Sequence, residues 1–321
     1  MTDQPKVVVI GGGTGLPVLL RGLKRHPIDI SAIVTVADDG GSSGRLRDSL
    51  DIPPPGDVRN VLAALSEVEP LIEQMFQHRF DTENELSGHA LGNLIIAAMT
   101  SITGDFVHAI QEMSRVLNVN GKVLPSANQS VVLKAEMEDG SIVTGESSIP
   151  EAGKRIKRVF IDADSVKPLR ETVRAIDEAD LIVMGPGSLY TSILPNLLVP
   201  GIGEAICRSE AKKLYICNIM TQAGETLDYS ASDHVKAIFD HMEVPCIDCV
   251  LVNKKQVPEE VKALYREEQA KPVHYDVEKL ASMGLEVVAE DILSYENQLV
   301  RHNTEKVADM IFSYLKESLE K

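Results

Sequence analysis

The chain has no tryptophan, and aromatic residues make up 4% of its 321 positions. A nucleotide base bound here must stack on tyrosine, phenylalanine or aliphatic surface, and Tyr190, beside a glycine turn, is the best placed aromatic. Four cysteines are too few for a disulfide framework in a chain of this length. Cys246 and Cys249 form a lone C-x-x-C with no second pair, which reads as a strand segment rather than a zinc or redox site. Basic side chains are scarce: 32 Lys and Arg face 48 Asp and Glu, a net charge of −16. That balance argues against a nucleic-acid partner and against adhesion to an anionic membrane surface. It leaves an anionic small molecule open, because a few N–H groups and arginines suffice to hold one phosphate. No apolar run approaches the ~18 residues of a membrane span. Neither an apolar signal region nor a small-residue cleavage site follows Met1, so a cytoplasmic location is expected.

Hydrophobic residues at 44% and charged residues at 25% are enough for a real core. Lys6–Ile10, Asp29–Val36, Asp180–Met184, Lys213–Cys217 and Ile247–Val252 are apolar runs rich in β-branched residues. Helical patterns separate them, which is the mark of a parallel sheet buried on both faces. The expected fold class is α/β: a three-layer, Rossmann-like, doubly wound and mostly parallel sheet. Residues 57–117 carry helical spacing throughout and read as a helical insert. Residues 120–150, with a turn at Asp139-Gly140, read as a β-hairpin elaboration on the main sheet. No repeat or linker divides residues 1–321, so one compact domain is expected, closed by a helix over 304–321.

Five segments are candidates for chemistry. Gly11-Gly12-Gly13-Thr14-Gly15 stands between a strand and a helix, where glycines let backbone approach a phosphate and the helix N-terminus offers free N–H groups. It matches neither a dinucleotide fingerprint nor a Walker loop. A Cβ at Gly13 is expected to block the phosphate with little loss of fold. Asp38-Asp39-Gly40-Gly41-Ser42-Ser43 follows the second strand; an aspartate there suits ribose hydroxyls, and the glycines and serines suit a nest of donors, with Arg45 or Arg47 supplying charge. Asp57, after three prolines, is a helix cap or a Mg²⁺ ligand. His89 and Asn93, four apart, share a face if both are helical. Gly185-Pro186-Gly187-Ser188 is a second strand-to-helix glycine turn, able to grip the other end of one ligand.

These motifs stand in the order shown by the 2-phospho-L-lactate transferase-like (CofD-like) family. The chain resembles its bacterial gluconeogenesis-factor (YvcK-type) branch over nearly its whole length. In the transferase branch the resemblance implies transfer of phospholactate from a nucleotide-activated donor, with Mg²⁺. In the bacterial branch it implies a nucleotide-sugar or dinucleotide binder needed for growth and cell shape on gluconeogenic carbon sources, with no reaction assigned. The expected ligand is a UDP-sugar or NAD/NADP, with Mg²⁺ as a candidate companion. A homodimer and a protein partner in cell-wall or carbon metabolism are further candidates. The ligand contacts carried over are the two glycine turns, Asp38 and Asp39.

One regulatory expectation comes from the last helix. Asn303 or Thr304 is its natural N-cap, and a phosphate on Thr304 would meet the positive end of the helix with Arg301 nearby. Such a switch is expected to leave the ligand crevice untouched.

Overall fold

A computed structural model describes residues 4–68, 70–81, 85–162, 166–267, 269–296 and 299–320. Met1 to Asp3 and Lys321, the expected end of the last helix, lie outside the described residues. In chain order the strands are β1 (Lys6–Gly11), β2 (Asp29–Val34), β3 (Lys122–Pro125), β4 (Leu133–Met137), β5 (Ile142–Thr144), β6 (Ile156–Ile161), β7 (Leu181–Met184), β8 (Lys212–Ile216), β9 (Cys249–Asn253), β10 (Glu286–Glu290), β11 (Leu293–Glu296) and β12 (Leu299–His302). The helices are α1 (Gly15–Leu23), α2 (Gly41–Leu50), α3 (Gly56–Leu65), α4 (Pro70–Gln77), α5 (Leu91–Thr103), α6 (Phe106–Val116), α7 (Ser148–Glu151), α8 (Arg170–Asp177), α9 (Leu194–Leu197), α10 (Ile202–Arg208), α11 (Ala231–Met242), α12 (Glu259–Arg266), α13 (Val277–Ser282) and α14 (Thr304–Leu319). A π-helical turn, Leu189–Ile193, leads into α9.

Seven strands form one sheet in the order β10-β9-β8-β7-β1-β2-β3, and every neighbouring pair is parallel. Val7, Val8, Val9 and Ile10 are all but fully buried, so β1 shows no in–out alternation. A strand that is apolar on both faces must be covered on both, and helices connecting parallel strands supply that cover. Each such side chain contributes roughly 1.5–3 kcal/mol by leaving water. The chain runs from β1 to β2 and β3 on one side, then returns to β7 on the other side of β1 and continues outward to β10. The order therefore reverses between β1 and β7, at the centre of the sheet. Helix α1 packs against α3 and α14. Gly22 makes the second contact close: a Cβ there would lie 2.9 Å from the Ala308 Cβ.

The structure departs from the sequence expectations in three places. The Asp139-Gly140 hairpin forms, but β4 and β5 join β6 in a separate antiparallel sheet of order β5-β4-β6; only β3 extends the main sheet. The reason lies in β4, whose residues alternate between buried and half-buried. That pattern suits a sheet with one wet face, not a strand covered on both. The Gly40–Arg47 segment is not an open nest, because Gly41–Leu50 is helix α2 and Ser42 and Ser43 are buried in its first turn. Gly44 is forced by close approach, since a Cβ there would overlap the Asp39 carbonyl. Finally, α5 begins at Leu91, so His89 precedes the helix that carries Asn93. Gly88, at φ +74°, and extended Ala90 keep the chain out of helix there. Among the described residues no single helix is long and apolar enough to cross a membrane.

Candidate ligand site

The crevice is built where the strand order reverses. β1 ends at Gly11, and Gly12 to Gly15 turn into α1; β7 ends at Met184, and Gly185 to Ser188 turn into the π-helical segment. The two turns touch, as a Cβ on Gly15 would lie 2.8 Å from the Pro186 carbonyl oxygen. Asn196 ties the end of β1 to the π-helical segment: its Nδ2 donates to Gly11 O at 3.1 Å and to Ser192 O at 2.9 Å. Above the turns lies a cavity of about 400 Å³. Gly12, Gly13, Thr14, Gly15, Pro186, Gly187 and Ser188 form its floor. Asn218–Ala223, after β8, form one wall; Tyr265 and the β11–β12 hairpin residues Leu299–His302 form the other.

The walls are held by their own hydrogen bonds. Gln222 Nε2 donates to Ser188 Oγ at 2.8 Å, and Asn218 Nδ2 donates to Gln222 Oε1 at 3.2 Å. The Val300 N–H donates to Tyr265 Oη at 2.8 Å. Burial pushes the His302 imidazole down to about 4. It is therefore neutral near pH 7, and its Nε2 lies 3.1 Å from the Cys217 carbonyl, the geometry of a donor to that oxygen. Sequence reasoning missed Asn218, Gln222 and His302, and read Tyr265 as core and surface. None of the four sits in a glycine motif, and the hairpin carrying His302 gave no turn signal.

Carboxylates gather beside the first glycine turn. Asp57 sits in the first turn of α3, and its Oδ2 accepts the Gly13 N–H at 2.9 Å. Burial pushes the Asp57 carboxyl up to about 6, against the pull of that hydrogen bond, and the Asp38 charge adds to the rise. Glu146, on the loop after β5, is pushed up to about 8 by burial and then by Asp38 and Asp57. Glu225 is pushed up to about 7 by burial, although it accepts from the Tyr190 N–H and the Thr191 hydroxyl. The sequence offered no sign of Glu146 or Glu225. Asp38 Oδ1 accepts from the Gly40 N–H and Asp39 Oδ1 from the Ser147 N–H, each at 2.9 Å. Both aspartates are thus engaged by neighbouring loops, and neither lines the crevice. Among the described residues no three His, Cys, Asp or Glu side chains converge as a protein cage for a metal.

Gly40, Gly41, Ser42, Ser43, Arg47 and Asn93 also lie off the crevice lining. Ser42 is the hub of a buried group: its Oγ is 3.0 Å from His89 Nδ1 and accepts from Asn93 Nδ2 at 3.1 Å. Arg47 is largely buried, with its Nε 3.6 Å from Asp48 Oδ1.

Tyr190 does not line the crevice. Its ring is buried, its hydroxyl lies 2.7 Å from that of Tyr229, and it lines a different cavity of about 620 Å³. The π-helical turn aims residue 190 away from the glycine turns and presents Ser192 to them. That larger cavity is less suited to an anion. Its cations are already paired, Arg155 with Asp228, Lys157 and Arg158 with Glu136, and Lys236 with Asp240. Asn303, not Thr304, caps α14, accepting the Lys306 N–H at 3.1 Å. Thr304 borders a small recess shared with Thr14, Gly15 and Arg301, so it is adjacent to the crevice rather than remote from it.

Three kinds of similarity to known proteins agree with one another. Residues 7–293 match the family described as 2-phospho-L-lactate transferase CofD. The chain is 64% identical over 317 residues to the gluconeogenesis factor of Bacillus subtilis, covering 99% of this chain and 100% of that protein. It is 51% identical over 312 residues to the gluconeogenesis factor of Listeria monocytogenes, covering 97% and 96%. A crystal structure of a Bacillus halodurans protein, described as a member of the UPF0052 family, superimposes with a TM-score of 0.94 at 62% identity, over 96% of this chain and 99% of that one. On sequence, coverage and fold together, the chain belongs to the CofD family, alongside relatives named gluconeogenesis factor.

Proposed function

We propose that the crevice binds one nucleotide-type molecule, a UDP-sugar or NAD/NADP, and that the chain is a ligand-binding factor for growth and cell shape on gluconeogenic carbon sources. One observation carries the binding reading: two glycine turns meet over a cavity at the carboxyl ends of β1 and β7, where the strand order reverses. Open α/β sheets bind ligands at that position. The first-turn N–H groups of α1 have no intrahelical partner and suit a phosphate. Arg301 offers charge at the rim, and Tyr265 brings a phenol ring to the lining, suited to a base. The relatives' name, gluconeogenesis factor, supports the part in gluconeogenic growth. A cytoplasmic location, a homodimer and a partner in cell-wall or carbon metabolism accompany this reading as proposals.

A second reading is a Mg²⁺-dependent transferase of the family's named type, favoured by the carboxylates beside the first turn. Mg²⁺ is usually held by one or two carboxylates, with phosphate and water completing its shell. The hard oxygens of Asp57 and Asp38, near enough for the Asp38 charge to raise the pKa of Asp57, fit that mode. Bound there, the ion would neutralise phosphate charge. The chain's own part would be to fix the first turn through the Gly13–Asp57 hydrogen bond.

Calorimetric titration with UDP-glucose, UDP-N-acetylglucosamine, NAD and NADP, with and without Mg²⁺, tests both readings. Saturable binding of one of them supports a nucleotide site. Silence from all four would overturn it. Release of a transferred group from a bound donor would favour the second reading.

A further inference from the structure

Most arginines of this acidic chain are ion-paired, among them Arg21 with Glu73, Arg25 with Glu305 and Arg208 with Asp177. Arg59 is an exception of a different kind. It is 6% exposed, it has no carboxylate within ion-pair distance among the described residues, and its Nε has no hydrogen-bond partner. Among the described residues its Nη2 donates only to the neutral amide oxygen of Asn60, at 2.7 Å. A buried charge without a partner costs several kcal/mol, so such a group normally has a counter-ion.

The surroundings of Arg59 fit an anion. Its Cγ and Cδ press against Gly92, where a Cβ would come within 2.9 Å of both. Asn93, the next residue, is 2% exposed, and its Oδ1 also has no partner among the described residues. Arg45 and Arg79 close on the same segment from outside. Arg45 Nη2 donates to Ser87 O and Arg79 Nη1 to Gly88 O, each at 2.6 Å, and neither meets a carboxylate within 4 Å among the described residues. His89 feels the charge of both. Ser42 Oγ accepts from Asn93 Nδ2 and from the Ala90 N–H, at 3.1 and 3.4 Å. The Ser42 proton then goes to His89 Nδ1, which leaves Nε2 carrying the hydrogen. Burial, then Arg45 and Arg79, hold the imidazole below its ordinary pKa, so it is a neutral donor. Asp57 and Asp38 act on Arg59 electrostatically, and Asp57 also accepts the Gly13 N–H, so Arg59 lies near the first glycine turn.

We propose that Arg59, Arg45 and Arg79, with the His89 Nε2–H, form a second anion subsite that takes the carboxylate or phosphate of a small molecule. The guanidinium fork matches either oxyanion. The anion is either the far end of the nucleotide ligand or a separate molecule. This inference goes beyond the nucleotide reading, because it rests on different residues and survives if the crevice binds no nucleotide.

The test uses the full chain with inorganic phosphate and with malonate, followed by calorimetry and by phosphorus NMR line broadening. Arg79→Gln removes an exposed cation and should weaken phosphate about tenfold, the effect of losing one charge-assisted contact of ~1.4 kcal/mol. Arg59→Met keeps the packing against Gly92 and removes the unpaired charge. It should melt at least as high as the wild type without anion, and should lose the phosphate response. Phosphate binding unchanged in both variants would overturn the proposal. So would a large loss of melting temperature in Arg59→Met with the Arg79→Gln titration unaltered, because Arg59 would then be structural only. UDP-glucose titrated into the same variants separates the sources. Competition with phosphate makes the anion part of the nucleotide, and additive binding makes it a second molecule; either supports the subsite.

Discussion

The Gly13 N–H donates to Asp57 Oδ2 at 2.9 Å, so a carboxylate from the start of α3 already occupies one donor of the glycine turn. Asp57→Asn keeps an acceptor for that N–H and removes the charge. Ligand affinity should fall mainly in the presence of Mg²⁺, if Asp57 helps to hold the ion. Titrations of both proteins with and without the metal check this; an equal loss in both would leave Asp57 as a positioning group for the turn.

Asp57, Glu225 and Glu146 each hold their proton more tightly in the folded chain than in the unfolded one. Their contribution to stability is therefore full below about pH 4 and is lost as pH rises through about 6, 7 and 8 in turn. A tenfold change in proton affinity is worth about 1.4 kcal/mol, so Asp57 alone accounts for roughly 3 kcal/mol of this loss. Denaturant unfolding between about pH 5 and pH 8 should show falling stability. Glu146→Gln should flatten the upper part of that curve, and added Mg²⁺ with ligand should do the same.

Gly13 adopts φ +63°, and a Cβ there would meet Ser192 Oγ at 3.2 Å. Gly13→Val should therefore cost stability as well as ligand, against the sequence expectation of an intact fold. A left-handed conformation costs an L-residue about 1–2 kcal/mol, and more for a β-branched one. Gly187→Ala, at ordinary φ, adds a Cβ 3.2 Å from the Ser192 Cβ but no backbone strain, and is the cleaner probe. Its melting point should stay within a few degrees of wild type while nucleotide binding weakens.

Two tyrosines should part company. Tyr190→Phe breaks the 2.7 Å contact with Tyr229 and should cost about 1 kcal/mol of stability without changing ligand affinity. Tyr265→Leu should weaken nucleotide binding, as expected for the loss of an aromatic platform and of the hydroxyl that receives the Val300 N–H. Reversal of the two effects would return Tyr190 to the ligand.

Thr304 is the first residue of α14, and its methyl group lies against Gly22. A phosphate there would enter the recess next to Arg301 and Thr14. Thr304→Glu should therefore alter nucleotide affinity and growth by gluconeogenesis, whereas Thr304→Ala should alter neither beyond a small stability change. Indistinguishable growth of the two would remove Thr304 as a switch.

The parallel sheet was legible because its strands are apolar on both faces, and the two glycine turns because no other residue permits such close approach. The segment Gly41–Leu50 hid its helix, since glycine and serine lower local propensity while burial of Leu46 and the hydrogen bonds of Ser42 supply the stability. The crevice walls were illegible for another reason. Tyr265 and Leu299–His302 acquire their place only through long-range packing, which leaves no periodicity or spacing to read. The tight hold of Glu146 and Glu225 on their protons likewise comes from burial by distant chain.

The crevice joins residues 12–15 with residues 299–302. On a ribosome the floor emerges before the hairpin wall, because it precedes it in the sequence. The glycine turn meets Tyr265 and His302 only when the chain between them has folded. A nascent chain therefore carries an unfinished crevice until the β11–β12 hairpin has been made.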